Sequence, residues 1–199
     1  MTDGNGIDRR TLRSCLRTLG AAAMLAAGAA GAQEKYDGYL CCNMRSDGSW
    51  ISDSNYAEGG KRVIPAGTPV KVTGYGRYRV KVQIDGVKQE IGNDYSRDLD
   101  NAAFARRYVV TGDPAAAIAG WPAKVQEAVR QSRVTPGMTR EQVFVSLGYP
   151  ISSENPDLDA PLLRYWLGSF AEFQLHFDAR GRLADITTDP STRNRVWTP

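Results

Sequence analysis

Two runs of alternating residues that meet at Asp85-Gly86 do most to limit what this chain can fold into. Arg79-Val80-Lys81-Val82-Gln83-Ile84 puts Val80, Val82 and Ile84 on one face, and Val87 to Ile91 follows after a dipeptide suited to a two-residue hairpin turn. Upstream, Pro65-Ala66-Gly67-Thr68 reads as a turn ahead of another alternating run, with Val70 and Val72 on one face. Gly74, Gly76 and Gly92 punctuate these runs. Short strands with turn signals at this spacing predict a small antiparallel β-barrel or sheet over residues 36–110.

The string Ile64 to Gly86, IPAGTPVKVTGYGRYRVKVQIDG, resembles bacterial Src-homology-3-like barrels. That resemblance implies a module that binds peptide or cell-wall material through exposed aromatics. Tyr75, Tyr78 and Tyr95 are placed to serve, or else to pack at the barrel rim.

The chain opens with Arg9, Arg10, Arg13 and Arg17, followed by an uncharged stretch from Thr18 to Ala32 that ends Ala30-Gly31-Ala32. Basic residues, a short apolar run and small residues in that order predict a cleaved export signal over residues 1–32, with Gln33 first in the mature chain. The apolar stretch is rich in Ala and Gly and falls short of the roughly 20 apolar residues of a spanning helix. Arg9-Arg10 partly matches a twin-arginine signal, but Asp8 precedes the pair. Neither Cys15, ahead of the apolar stretch, nor Cys41, after Gly38-Tyr39-Leu40, sits in a lipoprotein cleavage motif. Removing the signal takes four Arg and two Asp from 25 basic and 22 acidic residues, leaving 21 and 20. A near-neutral mature chain gives no electrostatic footing for nucleic acid.

Two cysteines remain after cleavage, and they are adjacent. In an oxidising compartment Cys41 and Cys42 have three options: a pair of small packed residues, a vicinal disulfide, or a bond to another chain. Two thiols and the single His176 make a thin ligand set for zinc. The oxygen-rich stretch Ser46 to Tyr56 lacks the spacing and closing Glu of a calcium loop. No metal or cofactor is expected.

From Asp100 the pattern changes. Ala102 to Val110 suits a short helix or a closing strand, and Thr111-Gly112-Asp113-Pro114 reads as a break. Trp121 to Gln131 then reads as a helix with Pro122 at its first position and Val125, Ala128, Val129 and Ser132 as its stripe. Thr139-Arg140-Glu141-Gln142 has capping-box spacing, with Met138 and Val143 placed as a hydrophobic staple. A helix from Arg140 to Leu147 should follow, ended by Gly148 and Pro150, with Val143, Phe144 and Leu147 as its apolar face. Leu162 to Leu167, Glu172 to Asp178 and Arg182 to Thr188 read as strands, with Phe173, Leu175 and Phe177 inward on the second. The expected fold class is α+β: the small antiparallel barrel module, then a two-helix plus three-stranded antiparallel sheet module over 115–190, and a tail at 191–199.

The ordered motifs Gly137-Met138-Thr139-Arg140-Glu141-Gln142-Val143, Leu147-Gly148-Tyr149-Pro150, Tyr165-Trp166 and Phe177-Asp178-Ala179-Arg180-Gly181-Arg182-Leu183 resemble the SmpA/OmlA domain over about residues 118–190. That resemblance implies a small domain of outer-membrane lipoproteins that assist β-barrel assembly, with a similar fold in secreted β-lactamase inhibitor proteins. The missing lipobox and the additional N-terminal barrel depart from the pattern.

Catalytic signals are weak. His176 lies on a strand face beside Gln174 and Asp178, no Gly-x-Ser-x-Gly elbow is present, and a Cys–His pair would have to join two modules. The expectation is an exported cell-envelope binding or assembly module at the periplasm or outer-membrane periphery, contacting envelope proteins, with peripheral membrane association open. The alternatives are a cell-wall recognition module or a secreted inhibitor. Candidate partner contacts are Tyr149, Arg164, Tyr165, Arg193, Arg195 and Trp197, with the tail suited either to packing back or to docking.

Overall fold

The computed structural model describes residues 34–199, so the export segment expected over residues 1–32 and the cleavage point at Gln33 lie outside the described residues. The hairpin at Asp85-Gly86 forms as the alternation dictates. β6 (Arg79–Ile84) and β7 (Val87–Gly92) pair antiparallel with Ile84 opposite Val87. Asp85 (φ 50°) and Gly86 (φ 78°) both take the positive φ that a primed two-residue turn requires. β5 (Pro69–Gly76) joins the other side of β6, and Val70, Val72, Val80, Val82 and Ile84 are all buried.

Around this hairpin an eight-stranded sheet is built, in the order β4-β2-β3-β7-β6-β5-β1-β8. The remaining strands are β1 (Asp37–Leu40), β2 (Met44–Ser46), β3 (Trp50–Ser52), β4 (Arg62–Ile64) and β8 (Val109–Val110). The expected barrel is not closed, because β4 and β8 end the sheet. The reason is α1 (Asn101–Tyr108), whose Phe104, Ala105 and Tyr108 pack among the inward valines and cover the face that closure would otherwise bury. The sheet is also not wholly antiparallel. The chain returns as β4 on the far side of β2, and β3 is left to run parallel to β7, with Ile51 opposite Ile91. The segment 102–110 combines its two options, a helix capped by the Asp100 carboxylate and then a two-residue strand.

The expected break at 111–114 instead starts a helix. Asp113 accepts the Ala115 N–H and Pro114 occupies the first turn of α2 (Pro114–Ala119). In α3 (Ala123–Arg130) Pro122 is the cap rather than the first helical residue, and Val125, Ala128 and Val129 are buried as a stripe. α4 (Arg140–Leu147) has the reciprocal capping box, with Thr139 Oγ1 accepting from the Gln142 N–H and Gln142 Oε1 from the Thr139 N–H. Its buried side differs from the expected one. Phe144 is only half-buried, whereas Gln142, Val143, Val145, Ser146 and Leu147 are all buried. The helix lies against residues of both sheets and so has no single apolar stripe.

The second sheet, β9 (Leu162–Trp166), β10 (Glu172–Phe177) and β11 (Leu183–Thr187), is antiparallel in the order β11-β10-β9. Phe173, Leu175 and Phe177 point into the core with Val129, Met138, Val143 and Leu163, while Gln174 and His176 stay half-exposed. The tail forms α5 (Pro190–Val196), capped by Asp189. It packs back through Val134 N–H to Val196 O and Thr198 N–H to Val134 O, each 2.8 Å.

Each sheet has its own core cluster, and both belong to one compact unit that holds the described residues, 34–199. Two buried asparagines join them. Asn43 donates from Nδ2 to Val129 O (2.6 Å) and Ser146 O (3.2 Å) and accepts the Ala66 N–H (2.9 Å). Asn55, in the left-handed region at φ 53°, donates to Leu147 O (2.7 Å) and Asn43 O (2.9 Å). The Asn43 N–H reaches Val145 O at 2.9 Å. Carbonyls at the end of α4, which an isolated helix leaves to water, are thus satisfied from the first sheet.

Candidate functional site

Cys41 and Cys42 follow β1, and the Cys41 N–H is held by Tyr108 O at 3.0 Å. Their sulfurs are joined, 2.10 Å apart, in a vicinal disulfide. Both residues line a cleft of about 420 Å³ bounded by the end of β8, α2, Trp121 and α4. That size is within the range of ligand sites.

The walls are aromatic. Phe144 and Tyr149 stack with centroids 4.8 Å apart at 28°, and Trp121 lines the cleft with them. All three rings are half-buried, so each keeps a surface to offer. Behind Tyr149, Tyr108 meets it edge-on at 6.1 Å, and the Arg107 guanidinium lies 5.2 Å from the ring centre. Burial pushes the Tyr149 phenol up; Arg107 opposes this and Glu141 adds to it. The phenol therefore stays protonated at neutral pH and is available as a donor.

Two carboxylates stand at the cleft, Asp113 and Glu141, both exposed. Asp113 is fixed by capping α2 at 2.8 Å. Glu141 is in the first turn of α4, where negative charge suits the helix dipole. Cystine, rings and carboxylates supply contact area and charge.

Other hollows are less suited. A larger one, about 650 Å³, lies on the outer sheet face beside Trp50. It has a single aromatic, Trp50, whose ring already holds the Arg79 guanidinium 4.1 Å from its centre and lies against Gly92, where an added Cβ would meet it at 2.1 Å. A hollow of about 600 Å³ beside Asp37 and Lys71 has Tyr39 as its single aromatic.

Of the six expected contact residues, only Tyr149 reaches the cleft. Tyr165 is a core residue, 6 % exposed and stacked on Phe173 at 5.4 Å, and with Tyr149 and Arg164 it borders a separate, smaller hollow. Trp197 is likewise buried beneath the returning tail, at 8 % exposure. Arg193 stacks on Trp197 at 5.1 Å and donates to Ile186 O at 2.8 Å, which commits it to packing. Arg164 pairs with Glu172 at 3.2 Å, and Arg195 is exposed on α5. Tyr95 is exposed, Tyr75 donates to Glu34 O at 2.8 Å, and Tyr78 lies between Arg77 and Arg97.

His176 Nε2 lies 2.8 Å from Thr187 Oγ1, a cross-strand contact. In the oxygen-rich segment, the Asp47 carboxylate accepts the Ser49 and Trp50 N–H groups, each at 2.8 Å. The Asp53 carboxylate accepts from Asp94, Tyr95 and Ser96 N–H at 2.9–3.2 Å, which makes both groups loop fasteners. Among the described residues no set of three or more His, Cys, Asp or Glu is grouped to hold a metal, and no helix is long and apolar enough to cross a membrane.

Trp121, Phe144, Glu141 and Asp113 did not emerge from the sequence as site residues. Asp113-Pro114 carried a usable signal, since a capping Asp followed by Pro marks a helix start as well as a break. No family model, no curated protein sequence and no solved structure matches the chain.

Proposed function

We propose that this chain is an exported binding or assembly module of the cell envelope, which takes an apolar group of an envelope protein into the cleft beside Cys41 and Cys42. The observation that carries this reading is the cleft itself, walled by three half-buried aromatics and floored by a disulfide. Exposing such rings costs hydration free energy unless a partner covers them. The expected export segment and the adjacent cysteines favour an oxidising compartment. The SmpA/OmlA resemblance over residues 118–190 favours an assembly role at the outer membrane.

The test is photo-crosslinking in the native cell. A photoreactive side chain at Ala117, exposed and lining the cleft, should give an adduct with an envelope protein, while the same group at Lys88 on the outer sheet face should not. Adducts from Lys88 but not from Ala117, or adducts with cytosolic proteins alone, would remove the reading.

A further inference from the structure

Resting on that binding reading, we infer that the cleft accepts a segment of the partner in which a large apolar side chain is flanked by Lys or Arg. The rings of Trp121, Phe144 and Tyr149 define where the apolar side chain goes. The charge at the cleft defines its neighbours. Asp113 and Glu141 are its charged lining residues, no Lys or Arg lines it, and neither carboxylate belongs to an ion pair among the described residues. Arg107 lies over the Tyr149 ring but does not line the cleft. A cation beside Trp121 would also gain from the ring face.

The placement of the two carboxylates argues for a protein segment over a free small cation. Asp113 caps the start of α2 and Glu141 stands in the first turn of α4, so the two charges come from separate elements of the cleft wall. A segment with a cation on each side of an apolar residue offers a partner to both. A single small cation would leave one of them unmet.

Calorimetry on the purified protein with acetyl-Lys-Phe-Lys-amide and its Gln-Phe-Gln and Glu-Phe-Glu counterparts tests this. The Lys peptide should bind about 3- to 10-fold more tightly than the Gln peptide, the range expected for two exposed ion pairs. The Glu peptide should bind most weakly, and the differences should shrink with added salt. Glu141→Gln combined with Asp113→Asn should erase the preference while keeping the fold, since Asn also caps α2. Equal binding of the Lys and Gln peptides would overturn the charge preference and leave the apolar cleft standing. A preference that survives the double substitution would also overturn it. Phenethylammonium, with one cation, binding as tightly as the Lys peptide would overturn the need for a segment with two. Binding of none of these probes would overturn both this inference and the reading it rests on.

Discussion

Asn43→Leu should lower unfolding free energy by roughly 2–5 kcal/mol, because Ser146 O and the Ala66 N–H lose their side-chain partner and Val129 O keeps only its local one, at about 1–3 kcal/mol for each group left unsatisfied. Those groups are Val129 O and Ser146 O, at the ends of α3 and α4, and the Ala66 N–H ahead of β5. At 3 % exposure no water replaces the lost bonds without opening the contact between the sheets. Asn43→Asp adds a pH signature. The introduced carboxyl faces two carbonyls in a dry site, so burial and those dipoles raise its folded pKa above the unfolded value of about 3.9. A raised folded pKa means stability is greatest below the unfolded pKa and is lost as pH rises through the folded one. Urea denaturation from pH 3.5 upward should therefore show the deficit of Asn43→Asp relative to the native protein growing with pH, while that of Asn43→Leu stays constant. A pH-independent deficit for Asn43→Asp would contradict the buried, carbonyl-facing placement.

Phe177→Ala should cost about 3–5 kcal/mol, the range for deleting a buried ring. The ring is 6 % exposed in the second core, and the Arg140 guanidinium lies 4.0 Å from its centre. That loss is a large part of the roughly 5–15 kcal/mol that holds a typical domain folded. On the same strand, Gln174→Ala and His176→Ala should shift thermal melts little. Both side chains are half-exposed, and His176 gives up one contact, with Thr187. A neutral Phe177→Ala beside a damaging His176→Ala would place the strand one residue out of phase.

What was legible in the sequence was carried by short-range chemistry. Asp85-Gly86 needs only its own two φ angles, the Thr139–Gln142 box only one helical turn, and the Phe173, Leu175, Phe177 alternation only one strand. The α+β class follows from such local signals. What was not legible depends on distant segments. The parallel pairing of β3 with β7 joins Trp50 to Glu90, and α1 covers a sheet face that local pattern assigns to barrel closure. Tyr165 reads as a contact candidate because it alternates with Trp166, so that either ring could be the inward one, and Trp197 because the tail suits packing back or docking alike. Their burial is decided by Phe173 and by the return of α5. α4 misled in another way. Its Val145 and Ser146 sit on what a lone helix would turn to solvent, and only the first sheet, through Asn43, makes that side an interior. The cleft gathers Cys41, Trp121 and Phe144 from three parts of the chain, so no single motif announces it.

The most direct measurement compares the native protein with Ala117→Trp for binding to the partner recovered by crosslinking. Ala117 is exposed on α2 and lines the cleft, so an indole there fills the space without entering either core. If the cleft holds the partner, Ala117→Trp should melt at the same temperature as the native protein and bind at least about tenfold more weakly, a loss of about 1.4 kcal/mol. Equal affinity of the two proteins, with folding intact, would show that the partner binds elsewhere.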